Sequence, residues 1–258
     1  MKLRNKHRSY QILAMVSMLV CMSFGFTSPD ASYLAVNNAS TATIETKATK
    51  SEKAKSILEE KIGLYESLGL NSRGLSREAF EYALAGYSRL LNEGKIIKNN
   101  ILSILDFTLP SGKKRLFVID LETGELVFNT YAAHGRNSGT EMATQFSNQP
   151  NSFKSSLGFY VTGQTYNGKH GESLRLNGEE QGINDNAMSR GIVIHSAAYA
   201  DEEIVSRQGF IGRSQGCPAL PQNIAKNVIN TIKNGSCLFL YSADKNYTIN
   251  SKILNQGI

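Results

Sequence analysis

The sequence predicts a mainly β domain with one inserted helix, preceded by an N-terminal helical segment. Three observations carry this reading. Short apolar runs bounded by Gly, Asn and Ser recur through residues 111–245, the pattern of strands joined by tight turns. One stretch of fourfold spacing, Ile224, Val228 and Ile232, interrupts them and is closed by Gly235. Upstream of Pro110 the apolar residues follow helical steps instead.

The elements can be taken in chain order. Residues 1–29 begin with Lys2, Arg4, Lys6 and Arg8 and no acid, and then run apolar from Ile12 to Phe26. A basic start followed by a short apolar run is a secretory signal pattern, and the run is short for a spanning helix. Residues 30–50, rich in Ser, Thr, Ala and Asn and without a period, read as a linker. Residues 51–109 form a helical lead-in. Its first helix carries Leu58, Ile62 and Tyr65. Its second starts at Ser76, a suitable N-cap, and carries Phe80, Leu84, Tyr87 and Leu91 before Gly94. The β domain then occupies 110–245. "RLFVID" and "ELVFNTY" flank "LETG" as a hairpin, and "GFYVTG", "SLRL", "GIVIH" and "CLFLY" are further strands. Residues 246–258 are left as a C-terminal tail.

Composition narrows the function. The formal charge of +6 drops by four, to +2, once the basic residues of 1–29 are removed. No basic run with interleaved aromatics remains, so nucleic acid is not expected as a partner. A membrane is expected only through an uncleaved signal segment. The expected location is exported, in the periplasm or cell envelope.

Export changes the reading of the cysteines. Cys217 and Cys237 remain after Cys21 is lost, and an oxidising compartment allows a disulfide between them. A metal site is disfavoured, because the cysteines and His134, His170 and His195 lack the short paired spacings of structural zinc. The third possibility is a nucleophile. Cys217 lies in "GRSQGCPALP", a loop just before the inserted helix, and His195 ends the strand "GIVIH". A catalytic thiol needs a base, and the base needs a third group to hold its tautomer. Gly216 allows close backbone approach, and the amides near Gly216 and Cys217 are candidate oxyanion donors. Residue types alone leave the disulfide and the Cys/His enzyme open.

"IVIHSA" followed by "GRSQGCPA" resembles the signature of the YkuD-like L,D-transpeptidase catalytic domain: a His, a loop, then Ser or Thr, a variable residue, Gly and Cys. The match falls on His195, Ser214, Gly216 and Cys217. "AAHGRNSG", "SSLGFYVTG" and "KHGESLRLNG" are similar to the murein L,D-transpeptidase branch. The resemblance implies a β-sandwich with an inserted helix, peptidoglycan stem peptides as partners, and neither metal nor organic cofactor. It implies that Cys217 attacks a tetrapeptide stem, that D-alanine leaves, and that an amine resolves the thioester. Water as acceptor would make the enzyme an L,D-carboxypeptidase. Loss of turnover would leave a cell-wall-binding module. His195 would be the base and the Ser196 carbonyl its orienter, with Ser214 shaping the loop or assisting the oxyanion site. Arg213, His134, His170 and Arg190 are the expected substrate-binding residues. The chain departs from the family at Ala219, where many members carry Arg or Asn, and Arg213 is expected to take over donor anchoring.

Overall fold

A computed structural model describes residues 61–255. The signal and linker readings, and the start of the first helix, lie outside them. Two helices come first, α1 (Leu64–Ser67) and α2 (Arg77–Asn92). Ser76 caps α2, its Oγ accepting from the Ala79 N–H at 3.1 Å. The strands are β1 (Ile101–Asp106), β2 (Leu116–Asp120), β3 (Glu125–Thr130), β4 (Gly158–Gly168), β5 (Gly171–Gly178), β6 (Val193–Ser196), β7 (Ala219–Leu220) and β8 (Cys237–Tyr241). Between them lie α3 (Glu202–Gln208), after β6, and α4 (Gln222–Ile232), the inserted helix, before β8. Two short helices follow, α5 (Lys245–Asn250) and α6 (Lys252–Asn255).

The fold is mainly β, and the eight strands form one sheet in the order β3-β2-β1-β8-β4-β5-β6-β7. Its centre was not visible from local pattern. Ile101–Asp106 falls in the segment read as helical lead-in, yet it is a strand that pairs antiparallel with β2 and parallel with β8. Every residue of β1 and of β8 is buried. Strands covered on both faces read as continuous apolar runs, not alternating ones, which explains both "ILSILD" and "CLFLY". α2 packs closely on this centre. A Cβ on Gly86 would stand 2.0 Å from the Phe159 ring, and Phe159 itself stacks on Phe239 of β8 at 4.1 Å. The segment read as a tail is also part of the packed structure. Tyr247 and Ile253 are buried, and the Tyr247 hydroxyl donates to buried Glu180 at 3.1 Å.

β4 joins the two halves of the sheet. Gly158–Val161 pairs with β8, and a register shift between Thr162 and Thr165 precedes the far end, which pairs with β5 alone. Such a bulge bends a strand and lets one sheet turn back on itself. The return is completed beyond β3, where the Ala133 N–H donates to the Ala219 carbonyl at 2.8 Å. The two edges of the sheet therefore meet, and the sheet is nearly closed. That meeting point is where the sequence-selected residues gather.

Candidate active site

The loop before β7 is built around Ser214. The Ser214 N–H donates to the His134 carbonyl at 2.9 Å, and the Arg136 N–H donates to the Ser214 carbonyl at 2.8 Å. Its side chain closes the turn: Oγ accepts from the Gly216 N–H at 3.0 Å and donates to the Cys217 carbonyl at 2.6 Å. This corrects the expectation that the Gly216 amide is a free oxyanion donor, since that N–H is spent on Ser214. Gly216 is required for another reason. Its φ is +124°, and a Cβ would stand 2.9 Å from the Lys154 carbonyl.

Cys217 emerges from this turn half-buried, its Sγ 3.6 Å from the Gly191 carbonyl. Burial pushes the thiol above its ordinary value, opposed by the Val193 N–H and the cations Arg190 and Lys169. His195 reaches the same place from β6. It pairs with Ala219 across the parallel β6–β7 ladder, and its N–H donates to the Pro218 carbonyl at 3.4 Å. Cys217 is thus held next to the residue that bonds the His195 backbone. The His195 Nδ1–H donates to the Ser196 carbonyl at 2.9 Å, which leaves the Nε2 lone pair available. Burial lowers the His195 pKa against the Ser196 contact, and His170 and Lys169 lower it further. The His170 ring lies on the His195 ring, centroids 4.5 Å apart and planes 22° from parallel. The imidazole is therefore neutral near neutral pH, with a fixed tautomer.

Cys217 and His195 open into a cavity of about 670 Å³. The cavity is also lined by Arg136, Lys169, His170, Arg190 and Arg213, with Phe153, Tyr166 and Tyr199, and no carboxylate lines it among the described residues. A dense set of cations without acids favours an anionic ligand. Two of these arginines also serve the framework. The Arg190 Nη1 donates to the Ser147 carbonyl at 2.7 Å and to Ser156 Oγ at 3.3 Å, while its Nη2 donates to Ser152 Oγ at 3.2 Å and the Lys154 carbonyl at 2.7 Å. The Arg213 Nη1 donates to the carbonyls of Gly139 at 3.2 Å and Arg136 at 3.4 Å.

His134 does not reach the cavity, which corrects its placement among the substrate-binding residues. It is wholly buried, with Nδ1 accepting from the Arg115 Nη2–H at 2.7 Å and Nε2 turned to the Gly139 carbonyl at 3.3 Å. Burial and the Arg115 charge bring its pKa down to about 4, so it is neutral. Arg115, which sequence reasoning missed, is a wholly buried cation whose pKa burial lowers to about 9. Its Nε and Nη2 both donate to the Ala132 carbonyl, at 3.0 and 2.9 Å, and its Nη1 to the Leu109 carbonyl at 2.9 Å. A path thus runs from the core through Arg115 and His134 to the amide of Ser214. Nothing local in "KKRLFVID" marks Arg115, because its partners are 6 to 19 residues away. Among the described residues no group of three or more His, Cys, Asp or Glu is placed to hold a metal ion.

Residues 71–241 match the family described as the L,D-transpeptidase catalytic domain. The chain belongs to that family. Solved structures similar to it include an L,D-transpeptidase from Mycobacterium smegmatis, 15% identical with a TM-score of 0.36, over 55% of this chain and 59% of that one. L,D-transpeptidase 3 from Mycobacterium tuberculosis is 13% identical with a TM-score of 0.36, over 55% and 61%. The helical cell shape determining protein Pgp2 from Campylobacter jejuni is 16% identical with a TM-score of 0.37, over 57% and 50%. The chain thus spans about three fifths or less of the length of these three structures. No curated protein matches the sequence.

Proposed function

We propose that this chain is an exported peptidoglycan L,D-transpeptidase with Cys217 as nucleophile and His195 as base. The observation that carries the reading is the pairing of two facts at one cavity. The His195 Nδ1–H is committed to the Ser196 carbonyl at 2.9 Å, leaving Nε2 as the acceptor. Cys217 lines the same cleft, whose arginines and lysine face no carboxylate among the described residues.

The chemistry follows from the protonation states. Burial keeps the resting Cys217 protonated, and the depressed pKa of His195 keeps its imidazole neutral. The thiol proton therefore passes to His195 Nε2 as Sγ attacks the carbonyl carbon of the donor stem. The tetrahedral intermediate collapses with cleavage of the C–N bond, and the imidazolium returns the proton to the departing amine of D-alanine. A thioester remains. The amine of a second stem attacks it and gives its proton to His195, the C–S bond breaks, and the thiolate takes the proton back. Ser214 works on the loop, not on the substrate: its Oγ is engaged by Gly216 and Cys217. Lys169, His170 and Arg213 line the cavity, and the lysine and arginine supply the field for stem carboxylates.

The test is a tetrapeptide donor without acceptor, followed by peptide mapping. The expected result is an acyl adduct on Cys217 with one equivalent of D-alanine released, and cross-linked product once an amine acceptor is added. Folded protein whose Cys217 stays unmodified after prolonged exposure would reject the enzyme reading. Release of a tripeptide alone, with acceptor in excess, would make it a carboxypeptidase.

A further inference from the structure

We propose that Arg136, set over the ring of Phe153, is the carboxylate anchor of the cleft, and that the turn at 151–153 exists to hold that platform. The inference rests on the transpeptidase reading of the same site. The Arg136 guanidinium carbon lies 4.0 Å from the centroid of the Phe153 ring. Both residues line the cavity with Cys217. Arg136 is exposed, and no carboxylate pairs with it among the described residues. A guanidinium stacked on a ring keeps its N–H edge free for two-pronged binding of a carboxylate. Arg190, by contrast, has both terminal nitrogens on the Ser147–Ser156 loop, and Arg213 spends Nη1 on backbone carbonyls.

The platform is held in an unfavourable conformation. Asn151 and Phe153 have φ of +57° and +53°, and a bulky aromatic residue rarely adopts the left-handed region. Such geometry persists where the surroundings over-determine it, and here they do. Arg190 ties Ser147, Ser152, Lys154 and Ser156 together around the turn. Asn137 grips it from the other side, with Nδ2 donating to the Ser152 carbonyl at 2.9 Å and its N–H to the Phe153 carbonyl at 3.1 Å. The Arg136 N–H is meanwhile fixed to the Ser214 carbonyl at 2.8 Å. The anchor and the nucleophile loop are thus one hydrogen-bonded unit, so a carboxylate caught on Arg136 registers the donor against Cys217. Ala219 contributes nothing to this, being wholly buried.

The experiment is calorimetric binding of the tetrapeptide stem, and of versions with each carboxylate amidated in turn, to Cys217→Ala protein with and without Arg136→Gln. In the parent, amidation of one particular carboxylate is expected to weaken binding about tenfold or more. In Arg136→Gln that penalty disappears while the penalties at the other carboxylates remain, and Arg136→Lys restores part of it. Phe153→Leu, which keeps apolar bulk but not the ring, is expected to cost about two- to fivefold on the same carboxylate only. Thermal midpoints of all variants separate this from misfolding. An Arg136→Gln protein that folds and keeps the parent's preference at every carboxylate overturns the anchor. Adduct formation by the wild type, scored in parallel, tells which idea has failed. With adduct, only the anchor falls. With neither adduct nor stem binding, the transpeptidase reading falls with it.

Discussion

Cys217 and Cys237 are the same side chain in two surroundings. Cys237 opens β8, wholly buried, with Leu102 of β1 on one side and Val161 of β4 on the other. Burial drives its thiol far above the ordinary range, with Glu179 adding to the effect. Cys217 ends a loop at the mouth of a cavity. Burial raises its thiol too, but a backbone N–H and two cations oppose the rise. A neutral imidazole with its lone pair available lines the same cavity. Both thiols are free. The difference is that burial acts almost alone on Cys237, whereas at Cys217 a donor and two cations work against it, which is what the proposed nucleophile requires. Depth in the sheet, not chain position, separates the two.

The sharpest way to break this comparison is to remove each sulfur. Cys217→Ala is expected to abolish adduct formation while leaving the thermal midpoint nearly unchanged. Cys237→Ala should retain the adduct and lose about 1–2 kcal/mol of stability, the cost of emptying a small buried apolar site. Mass spectrometry and denaturant unfolding read both, and loss of activity from both substitutions alike would erase the distinction.

The next test removes the proposed base. His195→Ala should slow acylation about a hundredfold or more, measured by rapid-quench mass analysis with the tetrapeptide donor. A preserved rate would mean that Cys217 is activated without it.

The support behind the Cys217 loop is open to the same treatment. His134→Ala leaves the Arg115 guanidinium without one buried acceptor and is expected to cost about 1–3 kcal/mol by denaturant unfolding. Because the His134 carbonyl still receives the Ser214 N–H, the surviving folded enzyme should keep much of its acylation rate. Equal losses in rate and stability would argue that the ring acts directly on the loop.

The smallest expected effect is in pH. His195 must be neutral to accept a proton, so kcat/KM should fall as pH drops through its pKa. Burial, His170 and Lys169 lower that pKa, which places the acid limb below the ordinary histidine range. His170→Phe keeps a ring against His195 but removes one of the neighbours that lower its pKa, so the limb should move to higher pH. A limb that stays in place, or moves to lower pH, would show that His170 contributes stacking alone.

How much of this could be read from sequence depends on how local each cause is. The β2–β3 hairpin and the β6, β8 and α4 elements were legible because short apolar runs and breakers mark them within a few residues. β1 was not. Ile101, Leu102, Ile104 and Leu105 fit a helical face as well as a buried strand, and β8, the parallel partner that decides the matter, lies far along the chain. At the site, Cys217 and His195 stand out in sequence as a cysteine in a Gly-rich loop and a histidine near a strand end, and the structure brings both to one cavity. That Gly216 gives its N–H to Ser214, that His134 is a buried strut, and that Arg136 rests on Phe153 depend on contacts between distant segments. No spacing rule reports those.

The position of β8 has a consequence for how the molecule is made. β8, the last strand among the described residues, lies in the middle of the sheet, with β1 bonded to one edge and β4 to the other. Strands β1–β3 can form their meander early, and β4–β5 their hairpin, but the centre of the sheet, where the two halves join, is not made until β8 has been delivered. Joining them closes a loop of over a hundred residues between β1 and β8, so folding is expected to be slow and to finish late. A chain that stops short of β8 leaves the β1 and β4 edges unmatched, and such edges are templates for wrong pairing.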